Sequence, residues 1–89
     1  MKAVITVIGK DQKGIVYRVS EVLYKHGLNL EDISQTLMDD YFTMVALVNL
    51  EDMKGTFDEL VKSYQDLGEE MDLSIRVQHE DLFNKMHQL

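Results

Sequence analysis

The stretch Ile8-Gly9-Lys10-Asp11-Gln12-Lys13-Gly14-Ile15-Val16 carries the chain from an apolar, strand-like run into a strongly amphipathic helical pattern, through a polar loop bracketed by two glycines. Ligands are often held at such a corner. Glycine permits backbone conformations that a side chain would block, and the first amides of a helix have no intrahelical partner, so they can donate to a carboxylate or a phosphate. Asp11 narrows the choice. Its charge would repel a polyphosphate, whereas beside a zwitterion it can hold the ammonium while the helix amides hold the carboxylate. The loop is therefore better suited to an amino acid, although a loop aspartate at this spacing serves equally well as a helix cap.

Upstream of the corner, Lys2 to Ile8 is β-branched or small, with Ala3, Ile5 and Val7 on one face and Val4, Thr6 and Ile8 on the other. This predicts a central strand buried on both sides. Downstream, Ile15, Val16, Val19, Val22 and Leu23 share one helical face, and Gly27 supplies a stop. Leu28 to Met38 reads as a second, more polar strand that turns at Asp39-Asp40 into the strict alternation of Phe42, Met44, Ala46, Val48 and Leu50. A second helix is expected from about Met53 to Met71, with Phe57, Leu60, Val61, Tyr64, Leu67 and Met71 inward, Asp52 or Thr56 as its cap, and Thr56 with Glu59 fitting a capping box. Leu73, Ile75 and Val77 then alternate as a fourth strand with one wet face.

The order is βαββαβ, which interleaves two right-handed βαβ units. It predicts an α+β, ferredoxin-like sandwich: a four-stranded antiparallel sheet with two helices on one face, strands one and three central and two and four at the edges. Residues 1–79 form that domain. Residues 80–89 place Leu82, Phe83, Met86 and Leu89 at helical spacing, a short C-terminal amphipathic tail that needs either the open sheet face or another subunit to cover it.

With 89 residues there is one core, and a chain this short benefits from a disulfide, a metal or a partner. No Cys is present, so disulfides, thiolate metal sites and cysteine nucleophiles are excluded. His26, His79 and His87 include no pair at helical ligand spacing, so no metal is expected and the histidines read as surface or packing residues. That leaves a partner, and a homodimer is expected. Nine basic residues against sixteen acidic ones give a net charge of -7 with no basic cluster, which disfavours direct nucleic-acid binding. No secretion signal or membrane-length apolar run is found, so a cytoplasmic location is expected. Tyr17, Tyr24 and Tyr64 read as amphipathic edges of the core.

On these residues the chain resembles the ACT domain, a ferredoxin-like module widely used to sense amino acids. The resemblance rests on Thr6-Val7-Ile8-Gly9, on Asp11, Gly14, Ile15 and Val16, and on Gly27-Leu28-Asn29-Leu30 followed by Asp32, Ile33, Ser34 and Gln35. The run Val77-Gln78-His79-Glu80-Asp81-Leu82-Phe83 is similar to the ACT modules of glycine-cleavage repressors. Many relatives carry Pro where this chain has Lys13, a departure that loosens the loop without removing its donors. The resemblance implies a non-enzymatic regulatory module that needs no cofactor. It would bind a small amino acid at a dimer interface and signal occupancy to a regulated enzyme or regulator protein. Asp11, Gly14 and Ile15 would hold the ligand, and Asn29 would reach it from the paired domain or from its own. Without the resemblance, Asn29 is as well explained as a residue leaving a helix after Gly27.

Two other readings compete. One is an interaction-only domain whose acidic surface docks on a partner without a ligand. The other is an acylphosphatase-like hydrolase, because Gln12 and Gly14-Ile15-Val16-Tyr17-Arg18 approach that family's phosphate loop. Lys13 is an insertion there, Asp11 puts negative charge into the phosphate cradle, and no Asn stands at the water-positioning place. Arg18 is expected on the polar face of the helix instead.

Overall fold

The computed structural model describes residues 1–86. In chain order it contains β1 (Lys2–Lys10), α1 (Ile15–Lys25), β2 (Asn29–Met38), β3 (Tyr41–Asn49), α2 (Phe57–Met71), β4 (Ser74–His79) and α3 (Glu80–Met86). The four strands form one antiparallel sheet in the order β2-β3-β1-β4, so β1 and β3 are central and β2 and β4 are edges. This is the ferredoxin-like arrangement that the βαββαβ order predicts.

The alternation of β1 and β3 builds the core. Ala3, Ile5 and Val7 from β1 and Phe42, Met44, Ala46 and Val48 from β3 project to one side of the sheet, where Ile15, Val19 and Leu23 of α1 and Leu60, Tyr64 and Leu67 of α2 meet them. Tyr64 is the largest fully buried side chain, and its hydroxyl donates to the Val19 carbonyl oxygen at 2.9 Å, tying α2 to α1. Helix α2 starts at Phe57, four residues later than its apolar pattern suggests. Gly55 occupies a left-handed turn (φ 83°), and Thr56 caps the first turn in a complete capping box with Glu59. The Thr56 amide, and then its hydroxyl, hold the Glu59 carboxyl below the usual carboxylate range.

Gly68 of α2 is buried where α2 meets the start of β4, and a Cβ there would lie 2.7 Å from the Leu73 carbonyl oxygen. Backbone would have to move. Gly68→Ala is expected to destabilise the fold by about 1–3 kcal/mol although alanine is the better helix former by about 1 kcal/mol. Urea unfolding measures this, and an alanine variant as stable as the wild type would refute the close approach.

Three expectations need correction. The second face of β1 is closed only at its start, since Val4 is buried whereas Ile8 is 47% exposed, because α1 and α2 both lie on the other side. Val16 does not join the inward stripe of α1 and is exposed. Tyr17 and Tyr24 are 68% and 85% exposed and are no part of the core edge, because at about 100° per residue they fall on the side of α1 turned away from the buried Ile15, Val19 and Leu23. Only Tyr64 is a core tyrosine. Strand β4 runs on to His79 and passes directly into α3, which packs against β1 and β4 with Leu82 exposed. Leu89 and the Met86 side chain, both assigned to the tail's apolar face, lie outside the described residues.

Candidate functional site

Strand β1 delivers the loop Asp11 to Gly14 at its end, and the loop is anchored from two sides. The Asp11 amide donates to the Asp40 carbonyl oxygen at 2.8 Å, and the Gln12 side-chain amide donates to the Met71 carbonyl oxygen at 2.9 Å. Gly14 is the N-cap of α1 in the left-handed region (φ 86°), which is why glycine is required there. A Cβ on Gly14 would meet nothing within 4 Å, so the backbone at this corner is open to approach.

The two long helices begin differently. Helix α2 has its side-chain cap and two acids, Asp58 and Glu59, in its first turn, whereas α1 has neither a side-chain cap nor an acid in its first turn. The partial positive charge at the start of α1 is therefore met by no cap or acidic side chain of its own first turn. Asp11 is exposed and does not cap the helix, and among the described residues its side chain has no hydrogen-bond or ion-pair partner. Ile15 starts the helix with its side chain buried, so its contribution to a ligand would be its backbone amide.

Asn29 lies elsewhere. It pairs in register with Asn49, which pairs with Lys2, at the end of the sheet opposite to Lys10 and the loop. Lys2 to Lys10 is eight strand steps, a separation of roughly 26 Å at about 3.3 Å per residue. Asp11, Gly14 and Ile15 are thus brought together, and Asn29 of the same chain is not. The turn after α1 is made by Gly27 (φ 69°), which leaves Asn29 free as the first residue of β2. Next to it the register slips at a bulge between Leu30 and Asp32. Glu31, within that bulge, pairs with Lys2 at 2.9 Å and accepts from the Asn49 amide at 2.9 Å. Those contacts hold the Glu31 carboxyl below its ordinary range and raise the Lys2 ammonium. Asn29 also borders an open recess of about 510 Å³ shared with Tyr24, Asn49 and Lys54.

One group of exposed apolar side chains was not singled out by the sequence motifs. The flank of α1 beside β2 carries Val16, Tyr17 and Tyr24, and the adjoining β2 edge carries Leu30 and Leu37, all exposed and none charged. The available signal was the seven-residue spacing of Tyr17 and Tyr24, two turns apart on one helical stripe. Arg18 lies on the opposite flank, paired with Glu70 of α2 and, at 3.6 Å, with Glu21, which takes it away from a phosphate-loop role. His26 shares a hydrogen bond with Ser63 at 3.0 Å, and His79 stacks on Phe57 with ring centroids 4.1 Å apart.

Comparison with known proteins agrees with this fold. A profile of the ACT domain matches residues 2–78. A UPF0237 protein of Listeria innocua is 45% identical over 89 residues, covering all of both chains, and one of Methanopyrus kandleri is 46% identical over 88 residues, covering 99% of this chain and 98% of that one. Among solved structures, an ACT domain protein from Streptococcus pneumoniae superposes with a TM-score of 0.80 at 44% identity, with 93% of each chain covered. A protein described as a glycine cleavage system transcriptional repressor superposes with a TM-score of 0.71 at 25% identity over 86% of this chain and 44% of that one. With the profile matching residues 2–78 and relatives 45% and 46% identical over nearly their whole length, the chain belongs to the ACT domain family.

Proposed function

We propose that this protein is a non-enzymatic regulatory module, a homodimer that binds a small amino acid between its two subunits and passes occupancy to a partner protein. The observation that carries the reading is the distance between Asn29 and the loop. Antiparallel pairing of two β2 edges about a two-fold axis sets the start of one strand beside the end of the other. Asn29 of one subunit then meets the partner's Met38, next to the turn that anchors the partner's Asp11. The same pairing buries the uncharged flank of Val16, Tyr17, Tyr24 and Leu37, and it satisfies a ten-residue edge that carries no Pro or Lys. Each site would take the ligand carboxylate on the amides of Ile15 and Val16, with Asp11 of that subunit and Asn29 of the other at the ammonium.

Light scattering is expected to give a dimer, twice the 10.3 kDa chain. A thermal-shift screen of the amino acids is expected to find one that raises the melting temperature, since a ligand at 100 times its dissociation constant adds about 2.7 kcal/mol. Leu37→Lys places a charge on the edge and is expected to abolish both the dimer and the shift. A stable dimer that responds to no amino acid would instead favour an interaction-only domain, a reading consistent with the net charge of -7. A monomer that binds an amino acid with full affinity would exclude the shared site.

A further inference from the structure

A second recess lies on the sheet face away from α1 and α2. Val45, Thr6 and Arg76 stand side by side across β3, β1 and β4, with Ile8 and Ser74 paired one row further on. Phe83 of α3 forms the raised wall, and the enclosed volume is about 440 Å³, within the range of small-molecule sites. Among the described residues its lining contains one charged residue, Arg76. The other arginine, Arg18, is paired with Glu70 and Glu21, whereas Arg76, like several of the surface lysines, has no partner among the described residues. In a protein with sixteen acids and nine bases, an unmatched guanidinium over an apolar floor is a specific feature.

We infer that this recess binds a small amphipathic monocarboxylate, with its carboxylate on Arg76 and its apolar tail against Ile8, Val45 and Phe83. The planar guanidinium matches a carboxylate bidentately, and the apolar surroundings strengthen the pairing relative to open water. A phosphate dianion would need a second cation, and the lining has none among the described residues. A second copy's flat sheet face is held off by α3, since a helix is about as thick as the roughly 10 Å spacing of packed sheets. The site is separate from the proposed amino-acid site, on the other face of the sheet from α1.

Methyl and amide NMR of the full chain, titrated with octanoate, acetate and octylamine, tests this. Octanoate is expected to shift the Ile8 and Val45 methyl resonances and to leave the Gly14 and Asn29 amides unmoved. Acetate lacks the tail and is expected to give no shift at the same concentration. Octylamine keeps the tail but reverses the charge, and should bind at least about tenfold more weakly. Arg76→Gln is expected to weaken octanoate binding roughly tenfold at an unchanged melting temperature. Phe83→Ala should weaken it too. Equal affinity for octanoate and octylamine, or octanoate binding indifferent to Arg76→Gln, overturns the proposal. So do Ile8 and Val45 resonances that move with protein concentration alone, which would assign the face to a second copy.

Discussion

Tyr64→Ala is expected to cost about 3–5 kcal/mol of stability, the cost of truncating a buried aromatic residue. Tyr64 is fully buried in the core cluster formed by both long helices and the sheet, so the cavity would open inside the core. Small domains have about 5–15 kcal/mol in total, and a short chain sits toward the low end, so the variant should be largely unfolded at temperatures the wild type tolerates. Tyr64→Phe separates packing from hydrogen bonding. It keeps the ring and removes the donor to Val19, which should cost about 1 kcal/mol. Burial also raises the phenol's pKa above its ordinary value of 10.0. Because the folded value is the higher one, this stabilisation is complete below pH 10 and is lost as the pH rises beyond it. Alkaline unfolding should therefore be blunted in Tyr64→Phe. Urea midpoints for the three proteins, measured near neutral and at high pH, decide the matter. A loss below about 1 kcal/mol for Tyr64→Ala would mean that the ring is not where the core is closed.

The second large effect concerns the shared site. Asp11→Ala and Asn29→Ala should each weaken amino-acid binding roughly 10- to 150-fold, the worth of a hydrogen bond to a charged group. If every site combines Asp11 of one subunit with Asn29 of the other, mixing the two variants produces something that neither shows alone. A heterodimer has one site with both residues intact and one with both removed. Random exchange at equal concentrations makes half the dimers mixed, so about a quarter of all sites should recover wild-type affinity. Calorimetry before and after subunit exchange measures that fraction directly. No recovery, with both variants weakened and still dimeric, would place the two residues on one side of the interface. Unchanged affinity in both variants would put the site elsewhere.

Much of this fold was legible in the sequence because its signals are local. The period-two alternation from Phe42 to Leu50, the helical stripe Ile15-Val19-Leu23, and the Thr56-Glu59 capping box each lie within one element, and all of them form. The loop was legible for the same reason, since a glycine-bracketed turn between a strand and a helix is a short-range motif, and Gly14 adopts the left-handed conformation such a corner requires. The exposure of the tyrosines was legible as well, although they read as core edges: at about 100° per residue Tyr17 and Tyr24 fall on the side of α1 turned away from Ile15, Val19 and Leu23.

By itself, then, the sequence determined the order of the elements, the family, and the glycine-bracketed loop between β1 and α1. Only the tertiary structure decided how the candidate residues are distributed in space. It set Asn29 at the opposite end of the sheet from Asp11, left the flank of α1 uncovered beside the β2 edge, and stood Arg76 alone in an apolar recess beneath α3. The physical reason is one of range. Local patterns report backbone conformation and which face of an element is apolar, whereas the strand order β2-β3-β1-β4 and the antiparallel register across it fix which ends meet. Those pairings join residues far apart in the chain, and no period within a single element encodes them.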